Sequence, residues 1–245
     1  MSTLVVGATG ATGRLLVDQL INRGETVVAI VRSAERLPER LSSHDNVSVV
    51  EANLLDLSDA EIAEHVKGCT AIASCLGHNL SLRGIFGPPR KLVHDAVAKL
   101  CGATGAVDPG QKTKFVLMNT TANRNPESDD RESIAHRLVI WLLRHLLPPQ
   151  SDNEQAGEFL RVEIGQDHED IDWVAVRPDT LVDEEEVTEH EEYPSPIRDA
   201  VFNAGKTSRI NVAHFMAELI MDNDTWAEWR GKMPVIYNSA RRTNE

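Results

Sequence analysis

The sequence predicts a doubly wound α/β fold, in which helices cover both faces of a mostly parallel sheet. Three observations predict it: a glycine-rich turn follows the first apolar stretch, short apolar runs alternate with segments of helical periodicity, and 245 residues suffice for one large core. We expect the strand order 3-2-1-4-5-6 in a single domain spanning residues 1–245. Residues 183–210 are expected to form a small C-terminal lobe that covers the substrate crevice.

The glycine-rich turn lies in residues 3–16, TLVVGATGATGRLL, where glycine recurs at every third position. Gly7 permits a tight turn after the strand, Gly10 lets the backbone approach a pyrophosphate, and Gly13 lets the next helix pack on the sheet. The helix N-terminus presents N–H groups and partial positive charge to phosphates. A turn that binds nothing is the alternative, but the strand before it and the helix behind it favour a dinucleotide site. The predicted contacts in this turn are Gly7, Thr9, Gly10, Ala11, Thr12 and Gly13.

The remaining elements follow from apolar periodicity and from helix-ending residues such as Gly24. Further strands are predicted at residues 26–31, 47–50, 70–75, 115–118, 173–176 and 235–237, the last at a sheet edge. Helices are predicted at residues 12–22, 58–66, 92–101, 131–147, 153–164 and 211–221. The apolar face of the helix at 131–147 is wide; core packing is the favoured interpretation, and contact with a partner subunit is the alternative. The carboxylate-rich run at 183–192 is predicted to be a solvated loop.

Two arginines follow the second predicted strand, where the choice between NAD and NADP is made. Folds that bind NAD carry an acidic residue there for the ribose 2′-hydroxyl, whereas this chain has Arg32, followed one helical turn later by Arg36. A guanidinium can hold a 2′-phosphate through two oxygens at once; two solvated surface arginines are the alternative. The sequence therefore predicts NADP(H) as the cofactor.

The carboxyl ends of the other strands complete the predicted site, because ligands of such folds bind in that crevice. Asn53 is placed to hydrogen-bond the adenine and Leu54 to cover one of its faces, with a plain loop as the alternative. His78 is a candidate acid or base, although a solvated loop histidine is the simpler interpretation. The candidate positions after strands four to six are Gly77, Asn119, Thr120 and Pro178.

Composition and charge exclude several classes of partner. The net charge of −13 repels polyanions, so we expect no nucleic-acid partner and no membrane partner. Cys69, Cys75 and Cys101 show no metal-ligand spacing, so we expect no metal site. The cysteine usage and the lack of an export leader predict a cytoplasmic protein. We expect it to act on a small-molecule acceptor as a monomer or a homodimer.

Five segments resemble the atypical short-chain dehydrogenase/reductase family of the NAD(P)H-binding, NmrA-like type: VVGATGATGRLL, VRSAERLP, SCLGHNLS, VAVRPDTL and INVAHFMAELI. The similarity runs over most of the chain and is strongest to the branch of biliverdin-IXβ and flavin reductases. It implies a Rossmann fold with NADPH bound by the glycine turn, by the two arginines and by the ends of strands three and four, which adds Leu76 to the predicted contacts. Thr120 stands where the reductases carry a serine beside the nicotinamide.

The chain departs from the larger family in its proton donors. That family uses a tyrosine and a lysine four residues later, whereas Gln150 and Glu154 stand where the pair is expected. The flavin reductase branch also lacks the pair, and it carries a histidine after strand six where this chain has Thr180. Two functions therefore stay open. One is an NADPH-dependent reductase of flavin-like, quinone-like or other conjugated acceptors, with Thr120 as the candidate catalytic residue. The other is an NADP(H)-binding redox sensor that does not turn over.

Overall fold

A computed structural model describes residues 1–78, 87–104, 112–123, 125–126, 148–199 and 202–239. The strands in these ranges are β1 (Ser2–Val6), β2 (Thr26–Val31), β3 (Val47–Glu51), β4 (Ala71–Ser74), β5 (Thr113–Met118), β6 (Ile171–Pro178), β7 (Thr180–Val182), β8 (His190–Tyr193), β9 (Lys206–Ser208) and β10 (Val235–Asn238). Eight strands form one sheet in the order β3-β2-β1-β4-β5-β6-β10-β8. All neighbours in it are parallel except β10 and β8. The predicted order of the first six strands is therefore confirmed.

Helices connect these strands, as predicted. They are α1 (Ala11–Asn22), α2 (Glu39–Ser42), α3 (Asp59–Val66), α4 (Leu92–Thr104), α5 (Pro148–Phe159), α6 (Arg209–Met221) and α7 (Asn223–Trp229), and a π-helical turn (Leu160–Ile164) continues α5. A capping box between Ser58 and Glu61 explains why α3 begins where the sequence predicts. Helix α5 is described from Pro148 onwards. The predicted helix at 131–147 lies outside the described residues.

The sheet separates two hydrophobic clusters, which makes the fold doubly wound. Val5 and Val116 face one cluster, together with α1, α6 and α7. Leu4 and Phe115, their chain neighbours, face the other cluster, together with α3, α4 and α5. This alternation follows from the two-residue period of a strand, and it buries β1 and β5 on both faces. The fold class predicted from the sequence is confirmed.

The chain after β6 adds two strands to the main sheet. Strand β10 lies between β6 and β8, so the prediction of an edge strand at residues 235–237 is wrong: antiparallel β8 covers its other side. Strand β9 pairs in parallel with β7. The covering role of residues 183–210 stays a prediction. None of the helices in the described ranges is both long and apolar enough to cross a membrane.

Candidate cofactor site

The glycine turn joins β1 to α1, and at Gly7 and Gly13 it leaves no room for a side chain. Gly7 has φ +78°, and a Cβ on it would lie 2.5 Å from the Cys75 carbonyl carbon. A Cβ on Gly13 would overlap the Gly7 carbonyl oxygen. The Gly10 amide donates to that same oxygen at 2.9 Å, which closes the turn. The turn is thereby packed against both the chain after β4 and the first turn of α1.

A cavity opens beside this turn, at the carboxyl ends of β1 to β4. Nine of the fifteen predicted site residues line it: Gly7, Thr9, Gly10, Arg32, Arg36, Asn53, Leu54, Leu76 and Gly77. Six further residues complete the lining, and the sequence analysis did not single them out: Val6, Ile30, Val31, Ala52, Cys75 and Leu92. The structure thus brings glycines, two cations and apolar walls together, which is the composition that a dinucleotide needs.

The remaining six predicted residues do not line this cavity. Ala11, Thr12 and Gly13 form the first turn of α1, where Thr12 and Gly13 are buried. Gly10 is the N-cap of this helix and offers no side-chain acceptor to the first amides. Those amides therefore remain available to an anion at the helix N-terminus. Asn119, Thr120 and Pro178 lie at the ends of the neighbouring strands β5 and β6.

Arg32 and Arg36 are both exposed, at the end of β2 and in the short 3₁₀ turn Ala34–Arg36. Within the described residues neither guanidinium forms an ion pair with a carboxylate. The carboxylate of Glu51, at the end of β3, is engaged elsewhere: its Oε2 accepts the Ala34 amide at 2.8 Å. This hydrogen bond fixes the turn that carries Arg36. Both arginines therefore line the cavity without an ion pair to any carboxylate in the described part of the chain.

At the end of β5, side chains tie the sheet to α5. Asn119 is buried; its Nδ2 donates to the Asn153 carbonyl at 3.0 Å, and its Oδ1 accepts the Thr120 amide at 2.8 Å. The Thr120 hydroxyl oxygen accepts the Ala122 amide at 3.3 Å. The Pro178 carbonyl accepts the Thr121 amide at 3.1 Å, which joins the ends of β5 and β6. Thr120 is thus held in a fixed turn, one strand away from Gly77.

His78 forms a buried pair with Asp152, a residue that the sequence analysis did not single out. Their side chains are 5% and 0% exposed, and His78 Nε2 lies 2.7 Å from Asp152 Oδ2. Asp152 also accepts the amides of Val93 at 2.8 Å and His94 at 3.0 Å, at the start of α4. A carboxylate there is favoured by the helix dipole. The pair therefore anchors the chain after β4, which lines the cavity, to α4 and α5.

Gln150 and Glu154, which stand where the sequence analysis expects the tyrosine and lysine, lie on α5. Gln150 Nε2 donates to Glu154 Oε1 at 3.1 Å and to the Ala122 carbonyl at 3.3 Å. Both tyrosines of the chain lie elsewhere, on β8 and β10, where their rings pack 6.1 Å apart. Burial raises the pKa of Tyr237 to about 12. Neither tyrosine lines the cofactor cavity.

Comparison with known proteins identifies the family of this chain. A family model described as NAD(P)H-binding matches residues 7–223, a range that includes the glycine turn and every residue of the cavity beyond Val6. The chain therefore belongs to this NAD(P)H-binding family. The NAD(P)H-binding relationship inferred from the five sequence segments is confirmed. No curated protein matches the chain significantly.

Solved structures with the same fold cover nearly the whole chain. The oxidoreductase ylbE from Lactococcus lactis is 22% identical, with a TM-score of 0.69 over 97% of this chain and 91% of its own. A wide-type short-chain dehydrogenase/reductase from Veillonella parvula, in complex with NADP, is 14% identical, with a TM-score of 0.68 over 98% and 95%. ChuY, an anaerobilin reductase from Escherichia coli O157:H7, is 15% identical, with a TM-score of 0.66 over 98% of each chain.

Proposed function

We propose that this protein is an NADPH-dependent reductase that transfers hydride to a flavin-like, quinone-like or other conjugated acceptor. The observation that carries the proposal is the cavity in which the glycine turn, Arg32 and Arg36 meet. In this proposal the glycine turn and the start of α1 hold the pyrophosphate. Asn53 and Leu54 hold the adenine. Leu76, Gly77, Asn119 and Pro178 contact the nicotinamide half.

The proposed preference for NADPH over NADH rests on the two arginines. Each of the two guanidinium groups, which no carboxylate of the described residues neutralises, can donate two N–H hydrogen bonds to a pair of 2′-phosphate oxygens. An NAD-specific site would instead offer a carboxylate to the ribose hydroxyls, and Glu51 is already bound to the Ala34 amide. The structural relative from Veillonella parvula was crystallised with NADP, which supports the same choice.

The proposed acceptor class rests on proton delivery. Reduction of a simple ketone leaves a localised alkoxide, which needs a positioned acid, and Gln150 and Glu154 replace the usual tyrosine and lysine. A flavin or quinone spreads the added charge over a conjugated ring. Holding the nicotinamide against such an acceptor therefore supplies most of the catalysis. Thr120 would orient the nicotinamide or the acceptor through its hydroxyl. The fold likeness to an anaerobilin reductase supports a conjugated acceptor.

The cofactor and the acceptor are tested separately. Titration with NADPH and NADH measures the two dissociation constants, and loss of NADPH absorbance measures turnover with FMN, a quinone and a simple ketone. We expect tight NADPH binding and turnover with FMN or the quinone only. Thr120→Val should lower turnover modestly and leave its pH profile unchanged.

Other outcomes would contradict parts of this proposal. Tight NADPH binding without turnover of any acceptor would favour the redox-sensor function. Brisk ketone reduction would show that a proton donor has been missed. We further propose that residues 1–245 form one domain, with residues 183–210 covering the acceptor, in a cytoplasmic monomer or homodimer.

A further inference from the structure

Two histidines and a glutamate that play no part in the cofactor site lie together between β8 and α6. His190 is the first residue of β8, whereas His214 and Glu218 are four positions apart on α6 and therefore share one helix face. One ligand atom from each residue lies within 4.8 Å of both others. The cluster joins segments that are far apart in the sequence, and none of its members lines the cofactor cavity.

The distances between these atoms match the coordination of a small transition-metal ion. His190 Nε2 lies 3.4 Å from His214 Nδ1, and His214 Nδ1 lies 3.3 Å from Glu218 Oε2. Bonds of about 2.0–2.2 Å to a tetrahedral zinc ion place neighbouring ligand atoms about 3.3–3.5 Å apart. Two of the three edges therefore already have the required length. The ligand atoms of the third edge, between His190 and Glu218, lie within 4.8 Å of each other. Glu218 is the most exposed of the three side chains, so we expect it to be the one that moves towards the ion.

A fourth side chain orients the first ligand. His190 Nδ1 lies 2.5 Å from Glu192 Oε1, so this carboxylate favours the tautomer with the proton on Nδ1. The lone pair of Nε2 is then free to face His214 Nδ1, 3.4 Å away. Metal-binding histidines commonly donate their other ring N–H to a carboxylate in this way, which fixes the ring and raises its basicity. Glu192 is thus placed as a positioning residue for the cluster.

The charges around the cluster also favour a cation. Glu218 and Glu192 contribute two carboxylates close to His214, and Arg23 is a nearby cation. The guanidinium of Arg23 is itself bound to the Gln19 carbonyl, at 2.9 Å.

We propose that His190, His214 and Glu218 bind a divalent transition-metal ion of the zinc class, with solvent as the fourth ligand. Two imidazoles and one carboxylate suit such an ion and are poor ligands for magnesium or calcium, which prefer oxygen. The bound ion would tie β8 to α6. The sequence analysis expected no metal because it considered only cysteine spacing, and the histidines meet only in the folded chain. A hydrogen-bonded cluster that binds no metal is the competing explanation.

The test uses the tag-free, full-length protein after treatment with a chelator. Cobalt(II) is added first, because its visible absorption distinguishes tetrahedral from octahedral coordination, and zinc(II) then competes for the site. We expect one equivalent of tetrahedral cobalt, displaced by zinc but unaffected by excess magnesium. Zinc should also raise the thermal unfolding midpoint. Absence of stoichiometric binding, or only an octahedral spectrum, would overturn the proposal.

Variants locate the site. His190→Ala and His214→Ala should each weaken zinc binding at least tenfold, whereas His44→Ala removes an exposed imidazole elsewhere and should change nothing. Glu192→Gln should weaken binding about 10–100-fold without changing the tetrahedral cobalt spectrum, as expected of a positioning residue. Thermal unfolding of each metal-free variant checks its fold. Unchanged binding in the His190→Ala/His214→Ala double variant would place the metal elsewhere and overturn the proposal.

Discussion

Arg32 is the residue on which the proposed cofactor preference depends most. It lies at the end of β2, lines the cavity and is exposed. A charge-assisted hydrogen bond contributes about 1.5 kcal/mol or more, so Arg32→Ala should raise the dissociation constant for NADPH about tenfold and leave that for NADH nearly unchanged. Titration with both cofactors at fixed ionic strength measures this, since screening weakens the pair.

Arg40→Ala is the matched control for this experiment. It removes the same charge from the helix that follows, where Arg40 pairs with Asp18 at 2.5 Å outside the cavity. We expect it to leave both dissociation constants unchanged. Equal binding of NADPH and NADH by the wild type, or an equal loss in both variants, would contradict a specific 2′-phosphate contact.

We expect Asp152 to contribute strongly to the stability of the fold, although no sequence motif marks it. His78 and the amides of Val93 and His94 all donate to the Asp152 carboxylate. Asp152→Asn replaces one carboxylate oxygen with an NH₂ group, which cannot accept a hydrogen bond. At least one of these buried donors therefore loses its partner. We expect the free energy of unfolding to fall by about 1–3 kcal/mol, measured by urea denaturation. Asp95 is the control, because it also pairs with a histidine, His94, but its side chain is 48% exposed.

Asp95→Asn should change the stability by less than about 0.5 kcal/mol, as is usual for exposed ion pairs. Equal effects of the two substitutions would show that the His78–Asp152 pair does not anchor the chain after β4. The sequence analysis identified His78 but not Asp152, because the two residues are 74 positions apart and only the fold brings them together. Leu92 was also missing from the predicted site, because only the fold brings it to the cavity.

At the scale of elements, the junction of β1 and α1 tolerates no side chain at Gly13. Gly13→Ala places a methyl group on the Gly7 carbonyl, so the helix must move away from the sheet. We expect a loss of about 1–3 kcal/mol in the free energy of unfolding, together with weaker NADPH binding. Chemical denaturation and cofactor titration measure the two effects.

Gly102→Ala provides the contrast, since Gly102 lies within α4 and a Cβ there would meet no atom of the described residues within 4 Å. We expect this substitution to stabilise the protein by about 0.5–1 kcal/mol, because alanine has the higher helix propensity, and to leave NADPH binding intact. A destabilising Gly102→Ala, or a harmless Gly13→Ala, would contradict the packing described for the glycine turn.

Elements with strong local signals could be predicted to within about two residues. The acidic first turn after Ser58 marked the start of α3, and short apolar runs identified the strands from β1 to β6. Position in the sheet was harder to predict after β6. The pairing of β10 with β8 depends on contacts between distant segments, and the acidic sequence of β8 reads as a solvated loop. Segment β8 is a strand because it pairs with β10, and its composition alone does not predict this.

At the scale of the whole molecule, both hydrophobic clusters share the same central sheet. Trp173 lies in one cluster and Trp226 and Trp229 in the other, so tryptophan fluorescence reports on both faces. We expect one cooperative unfolding transition in urea, with coincident fluorescence and far-UV circular dichroism curves. NADPH at a hundred times its dissociation constant should raise the free energy of unfolding by about 2.7 kcal/mol. Two separate transitions would contradict a single domain.

The place of β10 in the sheet bears on how the protein is made. Translation produces β8 well before β10, the strand that pairs it with the rest of the sheet. During that interval the nascent chain carries an open edge on β6 and an unpaired β8, and open edges invite pairing with other chains. A ribosome-stalled chain that ends before Val235 should therefore be cleaved by protease near β8 faster than the released protein. Equal cleavage of the two would show that β8 gains its protection without β10.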